Sequence, residues 1–232
     1  MEISRFPYTL DSQLIYPGQK IMESRLLDWA TKNTDPDAVP DLQVTERMRK
    51  LDPELVEMIL GRDEVVVMRE LVGKLDDNLD TSREALEHLE EILEKIDSAV
   101  TFGRAGMWDG IFKVLKKQDL NLDAALSLLG TASQNNPPVQ TQLVDEYDVL
   151  QVFVDLFARL EASGLPRSAG KIKSKLVYAV SAVVKNQQDI FQKFIAMGGM
   201  ACIVSLREDL DVCDRVEHLL SFLQSEYPEI KF

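Results

Sequence analysis

The strongest constraint on the fold is a helical pattern of apolar residues that occurs four times along the chain. In each occurrence, apolar side chains recur at intervals of three or four residues, which places them on one face of an α-helix. The four sets are Ala85, Leu86, Leu89, Ile92, Leu93 and Ile96; Ala125, Leu128, Leu129 and Ala132; Leu176, Ala179, Val180 and Val183; and Val216, Leu219, Leu220 and Leu223. No stretch after Glu64 alternates convincingly between apolar and polar residues, so we expect an all-α fold.

A second helix is predicted after each of the first three patterns, beginning near Met107, Val149 and Met200. Gly106 and Gly199 precede two of these helices, where glycine suits a tight turn. The unit of helix, short turn and helix recurs at about 40 residues, which is the period of armadillo and HEAT-like solenoids. We therefore predict such a solenoid, with a small helical N-terminal segment and a truncated fourth repeat.

Local composition divides the chain into three predicted parts. Residues 1–21 are expected to be an N-terminal extension, residues 22–63 a helical segment with a linker, and residues 64–232 the armadillo-like repeat domain. A capping-box pattern at residues 81–84, Thr-Ser-Arg-Glu, predicts the start of the first repeat helix. Residues 163–170 resemble a flexible connector inside the second repeat because they are rich in Gly, Ser and Pro.

The overall charge excludes several classes of partner. The chain has 232 residues and a formal net charge of −13, which repels phosphate backbones and anionic lipid. We therefore expect no nucleic acid and no membrane partner, and a protein partner instead. The sequence contains no apolar run of the ~18 residues that span a bilayer, and its start does not resemble a secretory signal. We expect a cytosolic monomer in which Cys202 and Cys213 are buried and reduced.

Catalytic motifs are missing from the sequence. The only histidines, His88 and His218, lie in separate repeats beside acidic neighbours, which favours solvated side chains over metal ligands. The sequence has no His-Glu-x-x-His, Cys-x-x-Cys or Gly-x-Ser-x-Gly motif. The segment from Gly164 to Lys171 resembles a phosphate-binding loop, but its glycines are wrongly spaced and a helix precedes it. We therefore expect no enzyme activity, no metal and no cofactor.

Two charged clusters have alternative interpretations. Glu87, Glu90, Glu91 and Glu94 are expected to be the water-facing side of an amphipathic helix, although paired carboxylates could also bind a cation. Lys171, Lys173, Lys175 and Lys185 are either a solvated helix start or a contact for an acidic partner surface.

Six strings of the sequence resemble one protein family, the armadillo-type nucleotide exchange factors of heat-shock-70 (DnaK-type) chaperones, and in particular its fungal cytosolic branch. The resemblance covers roughly residues 22–223. The strings are MESRLLDW at 22–29, LDPEL at 51–55, IDSA at 96–99, LGTASQNN at 129–136, LVYAVSAVVKN at 176–186 and FIAMGGMACI at 194–203.

The resemblance implies a mechanism as well as a fold. Factors of this family hold one lobe of the chaperone's nucleotide-binding domain in a concave groove, open the nucleotide cleft and accelerate ADP release. Client protein is released after ATP enters. Such a factor must bind the open domain more tightly than the closed one, and it needs no catalytic residue.

Five residues match positions that are implied to bind the chaperone. Ala99 matches a position that faces the partner, although packing explains a small residue equally well. Asn135, Asn136 and Asn186 end helices beside the groove, where capping or turn formation is an equal alternative. Arg215 matches a basic position and could bind a carboxylate in a fork.

The alternative function is an armadillo adaptor that binds extended peptides. Such adaptors place Trp and Asn four residues apart on successive groove helices. Here Trp108 is followed at that spacing by Phe112, and the later repeats lack Trp. Trp108 could be an anchor for a partner or a packing residue.

Overall fold

The computed structural model describes residues 62–76, 78–117, 121–162 and 168–228, and every regular element in these ranges is helical. The α-helices of these ranges are α1 (Glu64–Gly73), α2 (Leu79–Leu93), α3 (Ile96–Arg104), α4 (Trp108–Lys116), α5 (Leu122–Ser133), α6 (Pro137–Asp145), α7 (Val149–Ala162), α8 (Ser168–Val184), α9 (Gln188–Ala196), α10 (Gly199–Ser205) and α11 (Cys213–Glu226). A 3₁₀ turn, Lys74–Asp76, joins α1 to α2. The predicted all-α fold is confirmed for this part of the chain. The predictions for residues 1–21 and for the helices before residue 62 lie outside the described residues.

Four helices, called the long helices below, form one layer of the repeat domain. They are α2, α5, α8 and α11, and they contain 15, 12, 17 and 14 residues. Each packs against the next, so that α5 lies between α2 and α8, and α8 lies between α5 and α11. Apart from Ile96, the four apolar patterns of the sequence belong to these four helices.

Two further helices separate each pair of long helices, and they build the rest of the repeat. α3 packs on α6, and α7 packs on α10. The repeating unit therefore has three helices, and stacked units of this kind make an armadillo-like helical solenoid. The solenoid prediction is confirmed, but the prediction of a two-helix unit is wrong.

The missed helices are α3, α6 and α9, and each has only nine residues. The first apolar pattern includes Ile96, whereas α2 ends at Leu93 and Ile96 begins α3. Ile96 is 55% exposed and does not share the buried face of α2. Two prolines after an apolar pattern are typical of a helix stop, but Pro137 is the first residue of α6, where its missing N–H has no intrahelical role.

The apolar core runs continuously through the repeat domain. The largest fully buried side chains include Trp108, Phe153 and Phe191, which come from different repeats. Each such side chain contributes about 1.5–3 kcal/mol by leaving water. Trp108 meets Phe102 edge to face, with ring centroids 4.8 Å apart. Trp108 is therefore a packing residue, and its burial, like that of Phe112, leaves no surface for the peptide contact of an adaptor.

Helix α2 begins earlier than its sequence pattern predicts. The prediction that the capping box at residues 81–84 starts the helix is wrong, because Asn78 is the N-cap and its side chain accepts a hydrogen bond from the N–H of Thr81. The Ser82 hydroxyl is buried and donates to the carbonyl of Leu75 instead. An Asn cap satisfies the same unpaired donors as Ser or Thr, so Asn78 can start the helix one turn before the predicted box.

The turns before α4 and α10 each contain a glycine with a positive φ. One glycine is at the predicted position, and the other is one residue earlier than predicted. Gly106 has a φ of +69°, as a tight turn requires. The second turn uses Gly198, with a φ of +79°, and Gly199 is the first residue of α10. A side chain at Gly199 would lie 2.2 Å from the Phe194 ring, so this glycine is needed for close packing.

Helix α8 starts inside the segment that was predicted to be a flexible connector. Residues 168–170 are helical, so the connector is shorter than predicted, and residues 163–167 lie outside the described ranges.

Candidate protein-binding groove

A groove of about 520 Å³ lies where α5, α8 and α11 meet. Its wall consists of residues that follow α5, the second half of α8 with the two residues after it, and one face of the first ten residues of α11. Three of the five predicted site residues line it, namely Asn135, Asn186 and Arg215. The stacking of the long helices brings these residues together, although they are far apart in the sequence.

Asn135 and Asn186 end two long helices in the same way. They have φ angles of +53° and +60°, which lie in the left-handed region that Asn adopts more readily than most residues. Each is exposed and lies at the corner where a long helix turns into the next short helix. Their backbone conformation explains a turn-forming role, and their position in the groove is compatible with a partner contact as well.

Asn136 lies inside the fold instead of in the groove. Its side chain is 1% exposed, and its Nδ2 donates to the carbonyl oxygen of Ile96 over 3.3 Å. The bond joins the start of α6 to the start of α3 in the preceding repeat. This geometry supports the turn-stabilising alternative for Asn136.

Ala99 is also a core residue. It lies in α3 and has no exposed surface, so a partner cannot contact its side chain in this conformation. A larger residue would have to displace the packed neighbours of α3, which is destabilising by about 1–3 kcal/mol. The packing alternative accounts for a small residue at this position.

Arg215 extends from the first turn of α11. It is exposed, lines the groove, and within the described ranges forms no ion pair with a carboxylate. The neighbouring Arg207, by contrast, is paired with Glu217. Because its guanidinium is unpaired, Arg215 can offer its full set of donors to a carboxylate of a partner.

Tyr178 is an aromatic residue of the groove, and no motif in the sequence singles it out. Its hydroxyl is 3.3 Å from the Thr131 hydroxyl, and it donates to Gln134 over 3.4 Å. The ring lies across Gly130 of α5, where a side-chain carbon would be 2.4 Å from the ring. A glycine in the middle of an otherwise apolar helix is the only sequence signal of this close approach.

A polar network next to the groove links three long helices. A carboxylate oxygen of Glu90 on α2 accepts from the hydroxyls of Ser127 and Thr131 on α5, over 2.6 and 2.8 Å. Lys175 on α8 donates to the Ser127 hydroxyl over 2.8 Å. Glu90 is therefore half-buried and bonded between helices, unlike the exposed members of its acidic cluster.

A second link between the same helices is ionic. The Asp123 carboxylate on α5 accepts from both terminal nitrogens of Arg83 on α2, and Lys171 on α8 lies 2.6 Å away. Burial of Asp123 acts to raise its pKa, but hydrogen bonds and charges from Arg83 and Lys171 outweigh burial and lower the pKa to about 2. Lys173 makes a similar contact with Asp209 over 2.6 Å.

Lys185 is the remaining lysine of the predicted basic cluster, and it lies in the groove. Its Nζ is 4.4 Å from the centroid of the Phe222 ring on α11. Burial lowers the pKa of its ammonium group. The four lysines therefore differ: three are bonded to other long helices or to the loop before α11, and one faces the groove.

The described residues form no metal-binding cluster and no membrane-spanning helix. Across residues 62–228, leaving out the undescribed gaps, no three His, Cys, Asp or Glu side chains converge on a point that could hold a metal ion. His88 and His218 are exposed on different helices, and Cys202 and Cys213 are free and half-buried. None of the helices described above is long and apolar enough to cross a bilayer.

Comparison with known proteins points to one family. Residues 24–101 match the family model described as nucleotide exchange factor Fes1. A protein of Saccharomyces cerevisiae named Hsp70 nucleotide exchange factor FES1 is 27% identical over 194 residues, which cover 80% of this chain and 63% of that protein. Proteins of the same name from Candida glabrata and Eremothecium gossypii are 28% and 25% identical, each covering 76% of this chain and 60% of the relative. The chain thus spans about three fifths of the length of these curated relatives, and its resemblance to the fungal exchange factors is confirmed.

Proposed function

We propose that this chain is a nucleotide exchange factor of an Hsp70 chaperone, acting in the cytosol without catalytic chemistry of its own. The observation that carries the proposal is the similarity of the chain to fungal proteins named for this activity. The groove supports it, because Asn135, Asn186 and Arg215, which the resemblance implies for partner binding, line this one surface. The inferred partner is the nucleotide-binding domain of the chaperone.

The inferred mechanism is a difference in binding free energy between two states of the partner. A protein that binds the open nucleotide-binding domain more tightly than the closed, ADP-bound domain shifts the equilibrium towards the open state. An affinity ratio of about 100 corresponds to about 2.8 kcal/mol, which lies within the usual range of allosteric coupling. No bond is made or broken by the factor, so a rigid binding surface is sufficient.

The polar network and the Asp123 ion cluster support this mechanism because they hold the long helices in fixed positions. The groove walls come from α5, α8 and α11, and cross-links between α2, α5 and α8 limit their relative movement. A pre-organised surface loses little conformational freedom on binding, so more of its interaction energy can be used to open the partner.

The test is the rate at which fluorescently labelled ADP leaves an Hsp70 nucleotide-binding domain when this chain is added. We expect faster release with the unmodified chain and a reduction of about tenfold or more with Arg215→Ala, because an unpaired groove guanidinium is lost. Arg104→Ala is the matched control, since Arg104 is also an exposed arginine but does not line this groove. Unchanged ADP release at saturating concentrations of the unmodified chain would remove the proposal.

A further inference from the structure

The ammonium group of Lys185 has an unusual environment for a surface lysine. The side chain is half-buried in the groove, and its Nζ lies over the Phe222 ring at 4.4 Å from the centroid. Its main chain is fixed by the buried side chain of Gln140, whose Nε2 donates to the carbonyl oxygens of Ala182 and Lys185 over 2.7 and 3.3 Å. The cation is thus held in place from two sides, by an aromatic ring and by its own anchored backbone.

The three lysines at the start of α8, unlike Lys185 after its end, are bonded within the chain. Lys171 pairs with Asp123 and Lys173 pairs with Asp209, both at 2.6 Å, and Lys175 donates to the Ser127 hydroxyl. Lys185 has no carboxylate partner among the residues that the structure describes. A partly desolvated cation without a counter-charge is unfavourable by itself, and an anion that enters the groove would relieve this penalty.

The charge of the groove favours such an anion. Its charged lining residues are Lys185, Arg215 and Asp214, with the titratable His218 beside them. Cations therefore outnumber carboxylates here, although the chain as a whole carries a net charge of −13. A groove with a local positive charge on an otherwise acidic protein orients a partner that presents acidic side chains.

We propose that Lys185 and the Phe222 ring beneath it form a subsite for one carboxylate side chain of the bound protein. The inference rests on the proposed function and names the chemistry of the partner surface: an Asp or Glu of the nucleotide-binding domain enters the groove at this point. The aromatic ring lies under the ammonium group and removes part of its hydration, so that the ammonium group binds a carboxylate more strongly than a fully solvated lysine does.

The first test measures the affinity of a nucleotide-free Hsp70 nucleotide-binding domain for three variants at several NaCl concentrations. Lys185→Met keeps the apolar stem over Phe222 and removes the charge, so we expect about tenfold weaker binding and a weaker dependence on salt. Lys185→Arg keeps the charge and should bind like the unmodified chain. The control is Lys193→Met, because Lys193 is an exposed lysine on α9 outside the groove lining and should change neither quantity.

The second test uses a carbodiimide, which joins a lysine amine directly to a carboxylate in contact with it. In the complex of the unmodified proteins, we expect mass spectrometry to find Lys185 linked to an Asp or Glu of the nucleotide-binding domain. Lys193 should not be linked to that domain. This test does not depend on whether Lys185→Met folds correctly.

The outcomes separate the subsite from the proposed function. If the unmodified chain binds and accelerates ADP release, but Lys185→Met has the same affinity and salt dependence and no Lys185 cross-link forms, the subsite is wrong and the exchange function stands. If the unmodified chain does not bind the nucleotide-binding domain at all, the proposed function fails and the subsite fails with it.

Discussion

Gly130 lies in the middle of α5, where alanine would be intrinsically more favourable for a helix by about 1 kcal/mol. Its role is explained by the ring of Tyr178, which occupies the space that a side-chain carbon would need. The glycine therefore allows α8 to approach α5 closely and leaves the tyrosine hydroxyl beside Thr131 and Gln134 at the edge of the groove. One residue without a side chain fixes the position of the largest polar aromatic residue in the groove.

We predict that Gly130→Ala lowers the free energy of unfolding by about 1–3 kcal/mol, because the new methyl group forces the ring away from α5. In a Tyr178→Ala background, the same substitution should have no unfavourable effect or should stabilise the protein by up to about 1 kcal/mol, because the obstructing ring is gone. Urea unfolding of the four proteins in this cycle measures both effects.

Gly73→Ala is the control for helix propensity, because Gly73 ends α1 and has open space around it. It should not destabilise the protein. An equal effect of Gly130→Ala with and without Tyr178 would contradict the proposed role of the ring.

At the scale of elements, the long helices are cross-linked by groups that are distant in the sequence. Asp123 on α5 binds Arg83 on α2 and Lys171 on α8, so one carboxylate connects three helices of the layer. The Asp123 side chain is only 8% exposed, and solvent screening therefore weakens these contacts less than it weakens contacts on the open surface.

The cluster predicts how stability depends on pH. The pKa of Asp123 is lowered to about 2 in the folded protein, so the cluster stabilises the fold fully above the ordinary carboxyl pKa, near 4, and this stabilisation is lost as the pH falls through 2. The contribution is about 2 kcal/mol. Asp123→Asn should lower the free energy of unfolding by about this amount at pH 7, and it should flatten the pH dependence between about pH 4 and pH 2.

Asp145→Asn is the matched control, because Asp145 pairs with Lys193 on the open surface at 3.4 Å, with both side chains 57% exposed. Exposed pairs of this kind contribute at most about 1 kcal/mol, and often nothing measurable. Thermal unfolding measures the stability of both variants. Equal losses in the free energy of unfolding would show that the Asp123 cluster has no special role.

The elements also differ in how well the sequence predicts them. The long helices α2, α5, α8 and α11 are predictable because their apolar residues recur with the helical period. Helices α3, α6 and α9 were missed, although α4 and α10 are no longer than they are. In α6 the apolar residues are few, and Pro137 resembles a stop signal as much as a start. The cap at Asn78 was missed for a related reason, since a second cap-like pattern follows it within one turn.

The site is less predictable than the fold. Asn135, Asn186 and Arg215 could be selected because they occur in strings or positions that resemble a known family. Tyr178 could not, and Lys185 could not be distinguished from the other three lysines of its cluster, because their importance depends on which residues of the neighbouring helices they meet after stacking. An apolar pattern in one segment predicts which face of a helix is buried, but it does not predict which residues of a neighbouring helix pack against that face.

At the scale of the whole molecule, an acidic protein presents a locally cationic groove on a cross-linked layer of helices. The proposed activity requires that this groove distinguish two states of its partner, and tight binding alone would not be sufficient. A ligand with equal affinity for both states of a protein cannot shift the equilibrium between them, however strong the interaction is.

The most direct measurement is therefore the dissociation constant of this chain for an Hsp70 nucleotide-binding domain, determined once without nucleotide and once with saturating ADP. We predict binding at least tenfold tighter without nucleotide, which is about 1.4 kcal/mol of coupling, together with faster release of labelled ADP. Equal dissociation constants in the two states would contradict the account, even if the complex itself were stable.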